Sequence, residues 1–567
     1  MNRIKSHNGF FHIALILLFI GVIPVQSIGS KSGKFSTHLD KKEIESVLKR
    51  SESLNTFLDQ NHPLTPEYPS INNLPREFIP INPEQHHAPQ LEVNTHISTR
   101  EVDFDLRASA HLLRRITFGP TWEEINSAYD SGLDETVASI LEDYSMPDPP
   151  GEWINDPFPN YDELTQEQID SLQNAYQQQR AEMRSWLIDL MLEDETNVRE
   201  MMSLFWHDHF AVSAQGFNYP PAMYHYYDLI RENSLGNLKS FVKEMALDPA
   251  MLVWLDNRFN RVNNINENFA RELLELFTIG EGNYTQEDII EAARAYTGYV
   301  TNGLTTYFIP DRHDYGEKTF MGQTGYWFGD DIVDIIFEQE ETARFFARKL
   351  FQWFVYYNPD DDSVEELAVI LTENNYEVKP MLDALFKSEL FYDEHYRGAK
   401  FHGGIFHVVA PIRQMYIEEI IPPEGHVKNV ILLYFQEIFG QAILYPPDVS
   451  GWSGYRNWIN TYTLPYRKIF TNSVVDGYIF DYPMGFQVDV LDLAGQFPNP
   501  NDAEQLIDDM ILYFYDLQPT EHTRQLLLDQ LLQGLDPYNW SLTIPEAEER
   551  LKGTIKLLMR YPDFQLK

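Results

Sequence analysis

The sequence contains no cysteine. That excludes disulfides, a thiolate metal site and a thiol nucleophile together, and it leaves the fold to be stabilised by its core. Cations are scarce: 43 Lys and Arg stand against 86 Asp and Glu, a net charge of −43. Such a surface repels phosphate backbones and anionic headgroups, which argues against nucleic acid and lipid surfaces as partners. Its plain reading is an acidic, well-solvated exterior that attracts divalent cations only diffusely. There is no internal repeat and no low-complexity block. Known catalytic templates are missing too, with no Gly-x-Ser-x-Gly elbow, no His-Glu-x-x-His helix and no phosphate-cradling loop.

What is present begins with Arg3 and Lys5, an apolar stretch from Phe10 to Val25, and the small polar run Gln26 to Ser30. This is the order of a secretory signal peptide. The stretch falls short of the about 20 residues that a membrane span needs. Residues 1–28 are therefore expected to be a leader cleaved near Gln26 to Ser30, with an uncleaved anchor as the alternative. No Cys follows for lipidation and no Arg-Arg pair suggests the twin-arginine route. The expectation is export by the general secretory route, a mature chain in the periplasm or at the cell surface or outside, and no integral membrane span after cleavage.

With 567 residues, 43% of them hydrophobic and 14% aromatic, the chain is long enough to bury a large core without covalent staples. Residues 29–61 read as an N-terminal helical segment, with Leu39, Ile44, Val47, Leu48, Leu54 and Leu58 at amphipathic spacing over 39–60. Residues 62–103 read as a proline-rich linker or arm, in which the His86-His87 pair lacks further ligands at useful spacing. From Phe104 helical periods dominate. Helices are expected over 105–116, 121–132, 164–194, 197–212, 220–233, 235–247, 265–279, 285–297 and 339–356, and at intervals to 560. Alternation over 303–328 suggests one β-hairpin. The predicted class is mainly α: a large single helical domain over 104–567 with a small β-hairpin element.

Several segments are richer in polar side chains than a core needs. On a wheel through Val198 to Phe210, Met201, Met202, Phe205, Trp206 and Phe210 share a side with His209, and His207 lies about 160° away. His209 then reads as a satisfied core histidine and His207 as the freer group. In 265–279, Ile265, Phe269, Leu273, Leu276 and Phe277 form an apolar stripe, while Asn268, Arg271, Glu272 and Glu275 recur on the other side, with Glu267 and Arg271 four apart. That face could be a solvated, ion-paired one, yet Asn266-Glu267-Asn268 is a poor helix opening, so something besides propensity selects it. Thr285-Gln286-Glu287-Asp288 has the form of a capping box, leading to Arg294 and Thr297-Gly298. His313 and Asp314 on a Gly-containing turn ending at Lys318 could serve as base and orienter, or ligate a cation. Between Tyr445 and Trp458 a rigid aromatic loop carries Trp452, Arg456 and Trp458, which suits either a sugar surface or a cap on the core.

Five of these runs together resemble the hallmark segments of the domain of unknown function 1800 family: Phe205 to Phe210, Asn266 to Leu276, Tyr284 to Asp288 with Thr297-Gly298, His313 to Lys318, and Pro446 to Trp452. The similarity runs from about Phe104 to Tyr561-Pro562-Asp563-Phe564-Gln565. Two departures stand out: Lys400-Phe401-His402-Gly403-Gly404 replaces a Lys-Ser-Pro-type helix opening, and Phe277 stands where many relatives have His. The resemblance implies a large, mostly helical, usually exported bacterial protein, and no activity.

Two functions remain open. One is a binding or assembly component of the bacterial envelope acting with a co-exported partner, which the frequent gene pairing of family members implies. The other is a hydrolase-type enzyme with a polar site. Its catalytic candidates are His207, Glu267, Arg271, Glu272, His313, Asp314 and Lys318. A divalent cation there would fall to His207, Glu267, His313 and Asp314. Candidates for binding are Asn268, Arg294, Trp452, Arg456 and Trp458. If the motif segments line one pocket, they should converge, with Arg271 or Lys318 paired to Glu267, Glu272 or Asp314.

Overall fold

The computed structural model describes Ala88, Pro89, Leu91, Ile97 and residues 102–567, apart from 144, 194–195, 420–426, 480–481 and 484–485. The expected leader (1–28), the helical segment (29–61) and most of the proline-rich arm (62–103) lie outside the described residues. The few described arm residues rest on the main body: Asn358 donates to the Ala88 carbonyl at 3.0 Å, and Ile97 N donates to Glu366 at 2.9 Å.

The chain is mainly α, and its helices start where short polar side chains can take up free backbone donors. Asp105 accepts from Ala108 N at the start of α1 (Leu106–Ile116). Full capping boxes open Trp122–Ser131, Gln166–Leu192 and Gln286–Ala295 through Thr121/Glu124, Thr165/Gln168 and Thr285/Asp288. Further helices include α2 (Arg199–His209), α3 (Pro220–Asn233), α4 (Asn268–Glu272), α5 (Gln286–Ala295) and α6 (Glu340–Phe354). Not anticipated were Leu133–Ile140, Pro249–Trp254, Gly329–Ile336 and Thr463–Asp476. The expected helix 265–279 starts only at Asn268 and widens into a π-helical stretch over Leu273–Thr278.

The single hairpin expected over 303–328 resolves into two. β1 (Tyr299–Thr301) pairs with β2 (Thr306–Phe308), and β3 (Lys318–Phe320) pairs with β4 (Gln323–Gly325). The second is closed by Met321 and Gly322, both at positive φ, 45° and 80°, the two-residue turn whose twist suits flanking strands. All four sheets among the described residues are two-stranded and antiparallel.

One continuous hydrophobic cluster runs from Ala88 to Phe564. Residues 565–567 close against 400–402, with Lys567 N donating to Lys400 O at 2.8 Å and His402 N to Gln565 O at 2.9 Å. Within the core lies a buried charge cluster. Asp516 accepts from His111 Nδ1 at 2.9 Å and from Gly398 N at 2.7 Å, with Arg114 Nη1 at 3.6 Å. Burial alone would raise the Asp516 carboxyl, but His111, Arg114 and Arg115 around it hold it well below the usual carboxylate range. No described helix is long and apolar enough to cross a membrane.

Candidate functional site

The Asn-Glu-Asn triplet explains itself through the loop in front of it. At Asp256 the backbone turns left-handed (φ 60°) into a short 3₁₀ turn, Asn257–Phe259. Asn260, fully buried, then ties three segments together. Its Nδ2 donates to Ala293 O of α5 at 2.8 Å, its Oδ1 accepts from Asn266 N at 2.9 Å, and its carbonyl accepts from Gly298 N at 3.1 Å. Asn266 Nδ2 reaches back to Asp256 O (3.1 Å) and Asn268 Nδ2 to Leu255 O (3.2 Å). These amides satisfy loop carbonyls that no regular element would satisfy. Beside them Glu267 holds Arg271 at 3.2 Å and Gln286 at 2.8 Å, and both charged side chains are about two-fifths exposed, at 39%. Glu272 is pushed up by partial burial and by Glu275 next to it, with Arg271 opposing.

A second network sits at the other end of α5, about 12 Å along the helix axis from Gln286. Arg294 grips Asp314 through Nε (2.7 Å) and Nη2 (3.2 Å), and Glu291 through Nη1 (2.7 Å). The Arg294 bonds hold the Asp314 carboxyl down, and Asp314 in turn holds the guanidinium's proton more tightly than usual. Lys318, buried, donates to the carbonyls of Asp314 (2.6 Å) and Gly316 (3.2 Å), and burial lowers its pKa. His313 Nδ1 donates to Thr297 O at 2.9 Å, and its ring stacks on Phe328 with centroids 4.4 Å apart. Burial lowers this imidazole as well. The structure thus gathers Arg294, His313, Asp314 and Lys318 in one brace and Glu267, Asn268 and Arg271 in another. Arg271 pairs with Glu267, whereas Lys318 binds the backbone of Asp314 and leaves its carboxylate to Arg294.

His207 belongs to neither network, and its expected freedom is corrected: the ring is fully buried. Leu444 N donates to Nε2 at 3.2 Å, which places the proton on Nδ1, facing Tyr226 Oη at 3.1 Å, and that hydroxyl donates to Phe210 O at 2.7 Å. Burial lowers His207 to about 3, so the ring is neutral with both nitrogens used. His209 donates from Nε2 to Phe277 O at 3.0 Å and is lowered to about 3 by burial and the Lys349 cation. Between them Asp208 accepts from Trp452 N at 2.7 Å and is pushed up to about 7 by burial, with that bond and Lys349 opposing. Gly451 passes so close that a Cβ there would stand 2.3 Å from Asp208 Oδ1, and its φ of +81° independently favours glycine.

The aromatic loop is a cap on the core. Trp452 is buried with its ring 5.3 Å from that of His207, and Trp458 is buried with its carbonyl bonded by Thr463. Of the three binding candidates on this loop only Arg456 is exposed, over the Tyr455 ring at 5.1 Å. The proposed metal donors do not assemble. His207 is spent inside the core, and Glu267 and Asp314 are tied to different arginines. Among the described residues no three of His, Asp and Glu are placed to hold a metal ion.

The loop held by Asn260, Asn266 and Asn268, together with β1, forms a groove of about 500 Å³ lined by Arg258, Phe259, Arg261, Asn264, Val300, Thr301 and Arg312. Sequence reasoning missed these arginines. The available signal was Asn257-Arg258-Phe259-Asn260-Arg261, two cations three apart flanking an aromatic in a chain short of cations.

The order of these motifs along a helical chain is matched by a family described as a protein of unknown function (DUF1800), over residues 111–566. The chain belongs to the DUF1800 family. No curated protein and no solved structure shows similarity to it. The match includes both braces, the Trp452 loop and the closing residues of this DUF1800 protein. At the Phe277 departure the carbonyl meets His209, and the buried ring packs on Phe210 with centroids 5.5 Å apart.

Proposed function

We propose that this DUF1800 protein is a binding or assembly component of the bacterial envelope, exported by the general secretory route and working with a co-exported protein partner. One observation carries the reading: the polar side chains of the motif segments are engaged with one another and with backbone carbonyls, as in a scaffold. Arg294 is held by two carboxylates, Lys318 by two carbonyls and His207 through both ring nitrogens. Groups so committed hold loops in place and are poorly placed to shuttle protons. The test is to co-express the full chain with its genomic neighbour and crosslink after export. A stoichiometric complex is expected, and a chain recovered alone under conditions that preserve known envelope complexes would remove the reading.

A second reading, a hydrolase-type enzyme, draws on Asp208. Its carboxyl lies near neutrality beside Lys349, whose own pKa burial lowers, the pattern of groups poised for acid–base work. Under this reading Asp208→Asn abolishes turnover of a substrate found by screening and leaves partner capture intact. Under the first it changes stability only.

A further inference from the structure

In a chain with twice as many carboxylates as cations, several surface arginines are held by carboxylates. Arg344 bonds three, Glu340, Glu341 and Glu365, while Arg524 holds Asp508 and Arg348 holds Asp361. The groove brings together three that are not. Arg258, Arg261 and Arg312 line it with no acidic residue in its wall, and among the described residues none of the three makes an ion pair or a side-chain hydrogen bond. Arg258 leans over the Phe259 ring at 4.7 Å.

The walls are fixed in advance. Arg261 closes a tight turn with Asn264 (Asn264 N to Arg261 O, 2.7 Å), and Val262 N donates to the carbonyl of Arg312 at 2.8 Å. Asn260, Asn266 and Asn268 pin the same loop from behind. Phe259 presents a 56% exposed ring at the rim, and Val300 and Thr301 come from β1. Three guanidinium groups thus share one pinned groove with no carboxylate among its lining residues, which leaves their donors open to an anion from outside.

We infer that this groove is a binding site for an acidic saccharide, a sugar unit bearing a phosphate or a carboxylate. Planar guanidinium forks match either oxyanion in bidentate fashion. An exposed aromatic ring offers the flat apolar face on which the C–H side of a sugar rests. The acidic exterior does not forbid this, because charge beyond a Debye length of about 8 Å is largely screened at physiological ionic strength while the groove arginines act in contact. The site deepens the reading of the protein as a binding component and rests on it.

The test is calorimetric titration of the full chain with glucose 1-phosphate, glucuronic acid, inorganic phosphate and neutral glucose. Sedimentation with polygalacturonate is a further arm, which separates a free sugar from the same chemistry on a polymer. Expected is saturable binding of the two acidic sugars, weaker binding of phosphate and none of glucose. Arg258→Gln or Arg312→Gln should each weaken binding about tenfold, the loss of one charge-assisted contact. The triple variant with Arg261→Gln should abolish it with the unfolding midpoint unchanged, and Arg348→Gln should bind as the parent does. Equal binding by the triple variant, no binding of either acidic sugar, or inorganic phosphate binding as tightly as the sugars would overturn the proposal. A partner captured equally by parent and triple variant, without sugar binding, would remove the groove and leave the assembly reading standing.

Discussion

Arg114, Arg115 and Arg397 are buried around Asp516, whereas Arg258, Arg261 and Arg312 line an open groove with no carboxylate bonded to any of them. The first set shows how arginine behaves as a structural part. Each guanidinium there spends its donors on backbone carbonyls: Arg115 on Phe354 (3.0 Å) and Val355 (2.7 Å), Arg114 on Leu512 and Tyr513, Arg397 on Tyr392. One buried carboxylate and the ring of His111 complete the balance. In the second set the backbone is equally well tied but the side chains are not. The structural arginines are marked by Nη bonds to carbonyls or by a buried carboxylate beside them, and the groove arginines have neither.

The largest effect should come from unbalancing the first set. Asp516→Asn leaves several buried cations without a counter-charge, and its cost is expected to be roughly 3–5 kcal/mol in a denaturant titration. A loss below about 1 kcal/mol would mean that the cluster is not a charge balance at all. The same pair of proteins can be compared across pH. The folded Asp516 carboxyl lies below its unfolded value of about 3.9, so its contribution is present above that pH and is lost as pH falls through it. The stability gap between parent and Asp516→Asn is therefore expected to hold from pH 7 to about 5 and to narrow below about 4.

An intermediate effect is expected from the frame behind the groove. Asn266→Ala removes the bond to Asp256 O and the acceptor for Asn268 N, at about 1–2 kcal/mol. Hydrogen exchange should quicken over residues 256–266 and stay unchanged around Asp516. Least of all should follow from the groove itself. The triple replacement of Arg258, Arg261 and Arg312 by Gln should shift stability by no more than about 0.5 kcal/mol, in either direction. A loss comparable to that of Asp516→Asn would place these arginines with the structural set and erase the contrast.

Much of the helical architecture was legible because its cues are local. Thr121/Glu124 and Thr285/Asp288 begin helices through bonds spanning three residues, and the odd composition of Asn266 to Asn268 pointed correctly to a task other than propensity. His209 is the satisfied core histidine expected, and the misreading of His207 has a definite cause. A wheel assigns solvent to the side away from the apolar stripe, but α2 has no such side: α3 packs on it, and Leu444 and Trp452 cover the remainder. The two hairpins merged in the reading because alternation continues across the His313 to Lys318 turn, which tertiary bonds to Arg294 and Thr297 set apart. The groove had the faintest trace, since its arginines come from a 3₁₀ turn, a tight bend and the far side of a hairpin, and only the fold makes them neighbours.

The π-helical stretch Leu273–Thr278 also decides which changes the chain tolerates there. A widened turn of this kind amounts to one residue more than an α-helix would hold, and here it brings the Phe277 carbonyl to His209 and the Thr278 hydroxyl onto Leu273 O at 2.5 Å. A carbonyl is the same whichever side chain its residue bears. A substitution at Phe277 would therefore leave this carbonyl contact in place while disturbing the ring's packing on Phe210, whereas loss of a single residue from the stretch would break the contact itself.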